Sequence, residues 1–152
     1  YDDLKPLVKK RAQGYTIIDG KLYNAEYFDR SNLEGADGLF STTGDLYKWD
    51  RALYTDKLVT KETLNKIFTP YPPAKKYGYG WVTDGVKMYH TGRMDGFYTC
   101  ISRDIKNDYV IILLSNLQQA PVVNMNNDLE AILSGKNCSA PSNLTSVVID
   151  ME

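Results

Sequence analysis

The sequence has few of the side chains that bind metals or form disulfide frameworks. It contains one histidine, His90, and two cysteines, Cys100 and Cys138. A protein metal centre draws several such ligands from short spacings, so one histidine and two distant cysteines predict no metal site. Cys100 lies in a predicted strand and Cys138 in a polar tail. We therefore expect no disulfide between them, and the redox compartment stays open.

Excess charge and long apolar runs are also lacking. The formal net charge is −1 over 152 residues, which gives no electrostatic reason to expect nucleic acid or an anionic membrane surface as a partner. No apolar run approaches the roughly 20 residues of a membrane-spanning helix. The apolar content of 43% and the charged content of 24% are ordinary for a globular protein, and the length suits one domain with its own core.

The first half of the chain predicts a hairpin followed by two helices. Asp19-Gly20 is a strong signal for a two-residue turn, and it predicts a hairpin over residues 15–23. Two amphipathic segments follow, each preceded by a hydroxyl residue that can cap a helix. These caps are expected at Thr42 and Thr60.

The second half predicts an antiparallel β-meander and a final helix. The meander strands are expected at residues 77–83, 86–90, 97–105 and 109–115. The last of these is apolar without alternation, which is typical of a strand covered on both faces. A helix should begin after Pro121 and bury one apolar stripe in the core. The stripe consists of Val122, Met125, Leu129, Ile132 and Leu133.

Together these elements predict an α+β domain, in which the antiparallel β-meander packs with helices. We place this domain over residues 1–135. A polar C-terminal extension follows over residues 136–152.

The most informative stretch is residues 89–97, which read Tyr-His-Thr-Gly-Arg-Met-Asp-Gly-Phe. Alternating residues lead into His90, which predicts that His90 ends a β-strand. Gly92 and Gly96 follow, and they allow the backbone to turn and another molecule to approach closely. A polar strand end beside such a loop suits the binding of a substrate carbonyl. Alternatively, His90 is only a surface or hydrogen-bonding residue.

The pattern His-Thr-Gly-x-x-x-Gly-Phe at residues 90–97 resembles the third motif of the serine β-lactamase and penicillin-binding protein superfamily. That motif is usually Lys-Thr-Gly, and His-Thr-Gly is common in the class C-like esterases, D-aminopeptidases and D,D-carboxypeptidases. Residues 35–49, 77–81 and 110–116 resemble a helix start, a Tyr-Gly-x-Gly-Trp strand and an apolar strand ending in Asn, in the family's order. The resemblance covers roughly residues 11–135.

The same family places its nucleophile in Ser-x-x-Lys and a second motif in Tyr-x-Asn or Ser-x-Asn. Neither pattern occurs in this sequence. In the family both motifs precede the landmarks found here. We therefore expect the C-terminal part of a longer serine hydrolase, with a partial β-lactamase/transpeptidase-like fold. That partial fold would lack the N-terminal strands and the helical part that carries the nucleophile.

The resemblance implies roles for the third motif. His90 stands where the usual lysine stands, and it would hold the substrate's carboxylate or polarise the proton relay. Thr91 would offer its hydroxyl to the substrate, and Gly92 completes the motif. The backbone N–H of Arg93 would be one oxyanion donor, and the N–H of the missing serine would be the other. The side chains of Arg93 and Asp95 are explained equally well as solvated loop charges.

Aromatic residues near the motif have two interpretations. By the resemblance, Phe97 and Tyr98 would line or buttress the substrate cleft. Tyr79 and Trp81 belong to the Tyr-Gly-x-Gly-Trp segment, and we expect them to pack rather than to catalyse.

The family resemblance implies acyl transfer or hydrolysis of a β-lactam, a D-amino-acid peptide or a small ester, with no cofactor. Histidine in place of lysine argues against classical penicillin hydrolysis. By itself the chain is expected to be inactive, because it has no activated serine. The parent protein would lie in the cell envelope or be secreted. The alternative is a non-catalytic binding or assembly module that keeps the fold, and Ser-x-x-Lys upstream of Tyr1 would favour the enzyme.

Self-association is expected from the strand at residues 109–115. In the family's fold, N-terminal strands pair beside the equivalent strand, and their absence would leave an apolar edge that templates pairing. The simplest outcome is a homodimer with these edges antiparallel. Alternatively, residues 144–149 or the hairpin at residues 15–23 cover the edge from within.

Overall fold

The computed structural model describes residues 8–26, 35 and 37–138. In chain order, these residues form β1 (Tyr15–Ile18), β2 (Lys21–Asn24), α1 (Thr43–Ala52), α2 (Lys61–Phe68), β3 (Val82–Thr83), β4 (Lys87–Met94), β5 (Phe97–Asp104), β6 (Tyr109–Ser115) and α3 (Val122–Leu133). Strands β1 and β2 form one sheet, and a second sheet has the order β3-β4-β5-β6. Strands adjacent in sequence are adjacent in each sheet, so the predicted α+β class and meander are confirmed.

The chain divides into two compact units. Of the described residues, the first unit contains those up to Ser41, Gly92–Thr99 and those from Leu114 onward. The second unit contains Thr42–Thr91 and Cys100–Leu113. The predicted boundary at residue 135 stays a prediction, since most of the extension that follows lies outside the described residues.

The β1–β2 hairpin forms around the turn that the sequence predicts. Tyr15 pairs with Asn24 at its open end. Asp19 and Gly20 at its closed end have φ values of 50° and 79°. Positive φ at both positions is the signature of a type I′ turn, whose twist matches that of the strands. The N–H of Tyr15 also donates to the carbonyl oxygen of Asn116 at 2.9 Å, which holds the hairpin within the first unit.

Both predicted helix caps are present. The Thr42 hydroxyl accepts from the N–H of Asp45 at 3.1 Å, and the Thr60 hydroxyl accepts from the N–H of Thr63 at 3.2 Å. Each bond satisfies one of the N–H groups that a helix leaves unpaired in its first turn.

The first predicted strand of the meander, residues 77–83, is mostly wrong. Only β3, at the end of this range, is a strand. Gly80 has a φ of 79°, and the N–H of Tyr79 donates to the carbonyl oxygen of Ile67 at 3.0 Å. Because the backbone bonds to the end of α2 and turns through a left-handed residue, this segment does not extend.

Strand β4 is longer than predicted, and His90 lies in its interior rather than at its end. The strand runs on through Gly92 to Met94. The backbone turns at Asp95 and Gly96, where Gly96 has a φ of 81°. Of the two glycines that were expected to make a loop, Gly96 makes the turn and Gly92 remains extended.

Helix α3 forms where predicted, but its apolar stripe is not a buried core in the described structure. Val122 is 1% exposed, whereas Ile132 is 56% exposed. Asn126, one turn after Val122, is buried, and its amide donates to Glu130 Oε1 at 3.1 Å. The buried face of α3 therefore runs through Val122 and the polar Asn126, and periodicity alone does not identify that face.

A charged cluster lies in the core of the second unit. Asp50 and Arg103 are 0% and 2% exposed, and Asp50 Oδ1 lies 3.0 Å from Arg103 Nε. Arg51 Nη2 donates to Asp50 Oδ2 at 2.6 Å, and its Nη1 donates to Asp108 at 2.7 Å. The bonds to Asp108 and Asp50 raise the pKa of Arg51. The Arg103 guanidinium also packs 4.6 Å from the Tyr54 ring centroid. Because a buried charge is tolerated only when paired, Asp50 and Arg103 depend on each other.

In the first unit, two glycines let separate backbone segments meet. A Cβ atom on Gly96 would lie 2.6 Å from both the Cα of Gly14 and the Cβ of Ala25. The N–H of Ala25 donates to the carbonyl oxygen of Gly14 at 2.9 Å, and that of Tyr15 to the carbonyl oxygen of Gly96 at 3.3 Å. The turn after β4 is thus packed against the two strands of the hairpin.

We expect Gly96→Ala to destabilise the protein more than Gly20→Ala. The two φ values are 81° and 79°, so both variants carry a backbone strain of about 1–2 kcal/mol. Nothing lies within 4 Å of a Cβ at Gly20. The close approach at Gly96 should therefore add about 2 kcal/mol to the loss of unfolding free energy. Urea denaturation of both variants measures the difference, and equal losses would contradict this account.

The buried ion pair predicts a second contrast. Asp50→Asn should lower the free energy of unfolding by about 3 kcal/mol or more, because it leaves the Arg103 charge buried without its counter-ion. Asp108→Asn is the matched control. It removes a carboxylate from the same cluster at a side chain that is 71% exposed, where the expected loss is below about 1 kcal/mol. If urea denaturation gives similar losses of unfolding free energy for the two variants, the buried ion pair contributes no more to stability than the exposed one.

Candidate functional site

His90 lies in the second unit with its imidazole exposed and hydrogen-bonded. Its Nε2 is 2.9 Å from the hydroxyl oxygen of Tyr77. The two rings meet edge to face, with centroids 5.9 Å apart and an interplanar angle of 67°. Thr91, the next residue, is half-buried, and its side chain leaves the opposite face of the strand. The imidazole is therefore oriented by a phenol, and its ring remains accessible.

In the part of the chain that the structure describes, the backbone of β4 has no strand partner on the side of β3 beyond Tyr89. Strand β3 pairs Val82 with Tyr89 and Thr83 with Met88, and the ladder ends there. Among the described residues, no strand continues this ladder along residues 90–94. An open stretch of strand presents N–H and C=O groups that can bind an extended ligand by adding it to the sheet.

Gly92 and Arg93 belong to the first unit. The Thr99 hydroxyl donates to the carbonyl oxygen of Gly92 at 3.3 Å. A Cβ at Gly92 would lie 2.8 Å from that hydroxyl oxygen, which explains a glycine at this position. The Arg93 guanidinium lies 5.4 Å from the centroid of the Tyr98 ring, a cation–π contact. The Arg93 side chain therefore has an aromatic partner, and the oxyanion role of its backbone N–H stays a prediction.

Phe97 is half-buried and packs within the first unit. Its ring meets that of Phe40 edge to face, with centroids 6.0 Å apart. A Cβ on Gly14 would lie 2.7 Å from Phe97 Cε2. Phe97 thus packs inside the first unit, and the role of Phe97 and Tyr98 in lining or buttressing a substrate cleft stays a prediction.

Trp81 packs as expected, whereas Tyr79 is largely exposed. Trp81 is 6% exposed and stacks on Trp49 with ring centroids 5.9 Å apart and an angle of 8°. Tyr79 is 64% exposed, and its ring centroid lies 6.4 Å from that of Tyr71. Neither residue contributes to the contact between Tyr77 and His90.

Sequence reasoning missed Tyr77 as the partner of His90. Its place in the Tyr-Gly-x-Gly-Trp segment indicated that it could lie near the motif. The sequence alone does not show whether Tyr77 or Tyr79 faces the next strand. In the structure, Tyr77 forms a bridge with Val82, which is itself opposite Tyr89. This register brings the Tyr77 side chain to His90.

The described residues contain no group of three or more histidine, cysteine and acidic side chains placed to hold a metal ion. Each of their helices is too short or too polar to span a bilayer. Cys100 and Cys138 are not joined by a disulfide.

Known proteins resemble the chain in sequence over most of its length. Residues 3–134 match the family described as Beta-lactamase. The chain belongs to the beta-lactamase family. The predicted relation to serine β-lactamases and penicillin-binding proteins is thereby confirmed.

Two curated relatives in this family come from Bacillus subtilis (strain 168). One is PbpX, which is named as a penicillin-binding protein. It is 31% identical to this chain over 124 residues, and the match covers 81% of this chain and 32% of PbpX. Penicillin-binding protein 4* is 30% identical over 96 residues, 57% of this chain and 21% of that protein. The chain thus spans at most about a third of the length of these relatives.

Solved structures share the fold. FmtA from Staphylococcus aureus has a TM-score of 0.70 at 19% identity, and the match covers 91% of this chain and 39% of FmtA. A penicillin binding protein from Bacillus halodurans has a TM-score of 0.62 at 20% identity, covering 87% of this chain and 42% of that one. The α+β arrangement is therefore that of part of a penicillin-binding-protein-like fold.

Proposed function

We propose that the chain supplies the His-Thr-Gly strand of a serine hydrolase that transfers or hydrolyses acyl groups. The observation that carries the proposal is the place of His90, exposed in the interior of β4 where the open edge begins. The sequence contains no Ser-x-x-Lys, and its family relatives extend well beyond the part that it spans. The nucleophile is therefore assigned to a part of a longer protein outside these 152 residues.

In this proposal, each residue of the motif has one task. The imidazole of His90 donates to an anionic or carbonyl oxygen of the substrate, or polarises the proton relay from the serine. Thr91 offers its hydroxyl, and Gly92 keeps the strand free of a side chain. The N–H of Arg93 and the N–H of the serine stabilise the oxyanion of the tetrahedral intermediate.

The substrate class is an acyl compound: a β-lactam, a D-amino-acid peptide or a small ester. By the motif, the acyl carbonyl of the substrate is assigned to the N–H of Arg93. The exposed imidazole of His90 beside the end of the β3–β4 ladder favours acyl chemistry over a purely structural module, because it can donate to a substrate oxygen.

A homodimer through β6 is also proposed. In the order of the sheet, β6 is the last strand, and Leu114 within it is 40% exposed. The hairpin forms a bridge between Tyr15 and Leu117, which lies beyond the end of β6. Residues 144–149, the other segment expected to cover this edge, lie outside the described residues. Among the described residues, no strand pairs with the outer edge of β6. An apolar strand edge of this kind favours antiparallel pairing with a second copy.

The chain by itself should not react with acylating substrates. Incubation of the 152-residue chain with a penicillin or an activated ester should leave its intact mass unchanged, because no serine in the sequence is followed three residues later by the lysine that would activate it. Stoichiometric addition of one acyl group would contradict the assignment of the nucleophile to another part of the protein.

In the longer protein, His90→Ala should lower kcat/KM about 100-fold or more, in the range usual for loss of a proton-transfer group. His90→Lys should recover part of the activity, since lysine is the usual residue of the motif. Tyr89→Phe is the matched control, because the Tyr89 side chain leaves the other face of β4, and its kinetics should be unchanged. Unaltered kinetics for His90→Ala would show that this histidine is only structural.

Light scattering tests the proposed dimer. With increasing concentration, the mass of the chain should rise from 17.2 kDa towards twice that value. Leu114→Lys should shift the equilibrium to the monomer, because a charged side chain disfavours pairing at a strand edge. Leu129→Lys, on α3 at a residue that is 37% exposed, should not. A monomer at all concentrations, or a dimer broken only by Leu129→Lys, would contradict pairing through β6.

A further inference from the structure

Tyr77 is placed to control the proton on the imidazole of His90. Its hydroxyl oxygen lies 2.9 Å from Nε2, which is within hydrogen-bond range. Both ends of its backbone are held, since the N–H of Tyr77 donates to the Ala74 carbonyl oxygen at 3.1 Å and its carbonyl accepts from Tyr71 at 2.8 Å. The bridge with Val82 fixes the same residue to β3.

A neutral imidazole has one N–H donor and one acceptor nitrogen. When Nε2 faces a phenol, the favourable arrangement is donation from the hydroxyl, because a phenol is the more acidic donor and an imidazole nitrogen is a strong acceptor. The hydrogen bond made by one ring nitrogen determines which of the two nitrogens carries the proton. Donation from Tyr77 to Nε2 therefore requires the proton of His90 to be on Nδ1.

We propose that Tyr77 is a positioning residue that holds His90 in the Nδ1–H tautomer and aims this N–H at the substrate. The tautomer follows from the contact between the two residues, and the aim towards a substrate rests on the proposed function. The group recognised would be a hydrogen-bond acceptor, such as a carboxylate or carbonyl oxygen of an acyl substrate. Without the hydroxyl, the imidazole would be free to place its proton on Nε2, the tautomer that histidine prefers in water.

The single histidine of the sequence makes the tautomer directly measurable. In the 152-residue chain labelled with ¹⁵N-histidine, at a pH where the imidazole is neutral, a long-range ¹H–¹⁵N correlation spectrum distinguishes the two nitrogens. We expect a protonated Nδ1 and an unprotonated Nε2 in the unaltered chain. Tyr77→Phe should move the populations towards Nε2–H. Tyr79→Phe should change nothing, since the Tyr79 ring faces Tyr71 instead.

A dominant Nε2–H tautomer in the unaltered chain would overturn the proposal, whatever the variants do. An Nδ1–H tautomer that persists in Tyr77→Phe would overturn it as well, because another group would then set the proton. If Tyr77→Phe fails to fold, the spectrum of the unaltered chain alone decides.

Kinetics of the longer protein separate this inference from the proposed function. If both hold, Tyr77→Phe lowers kcat/KM about tenfold, because the imidazole is then held less often with its Nδ1–H towards the substrate. Tyr79→Phe should leave kcat/KM unchanged. An Nδ1–H tautomer combined with normal kinetics for both His90→Ala and Tyr77→Phe would refute the function and leave the tautomer assignment standing. Lost activity in His90→Ala, combined with an Nε2–H tautomer in the unaltered chain, would support the proposed function and refute the tautomer assignment.

Discussion

The pairing of Val82 with Tyr89 is the contact on which the candidate site depends. It places the following residue, His90, where the ladder between β3 and β4 ends, so the imidazole and the backbone beyond it are accessible. Val82 also forms a bridge with Tyr77, which brings the phenol to the histidine. The two-residue strand β3 thus brings Tyr77 to His90, and among the described residues it is the last strand to pair along this edge of β4.

In each unit, a different interaction holds together segments that are distant in sequence. In the second unit, a buried carboxylate and guanidinium, Asp50 and Arg103, join helix α1 to strand β5. In the first unit, Gly14 and Gly96 remove the side chains that would keep the hairpin and the turn after β4 apart. Both interactions join residues that are far apart in sequence, so neither produces a periodic pattern that the sequence analysis could detect.

The turns and helix starts that depend on interactions between neighbouring residues could be predicted from the sequence. The turn at Asp19-Gly20 and the caps at Thr42 and Thr60 follow from interactions within a few residues, and all are present. Predictions failed where tertiary contacts decide. Residues 77–81 look like a strand but bond to the end of α2, and the stripe of α3 does not mark its buried face. In the site, the motif identified His90, but only the register between strands could reveal Tyr77 as its partner.

The central claim is that a serine outside this chain acts on a substrate held at β4. Mass-spectrometric mapping of the acylated residue tests it most directly, in a longer polypeptide that contains these residues and has been treated with a penicillin or an activated ester. The account predicts one adduct, outside residues 1–152, on a serine followed three residues later by lysine. An adduct on a serine of this chain, such as the buried Ser102, would contradict it.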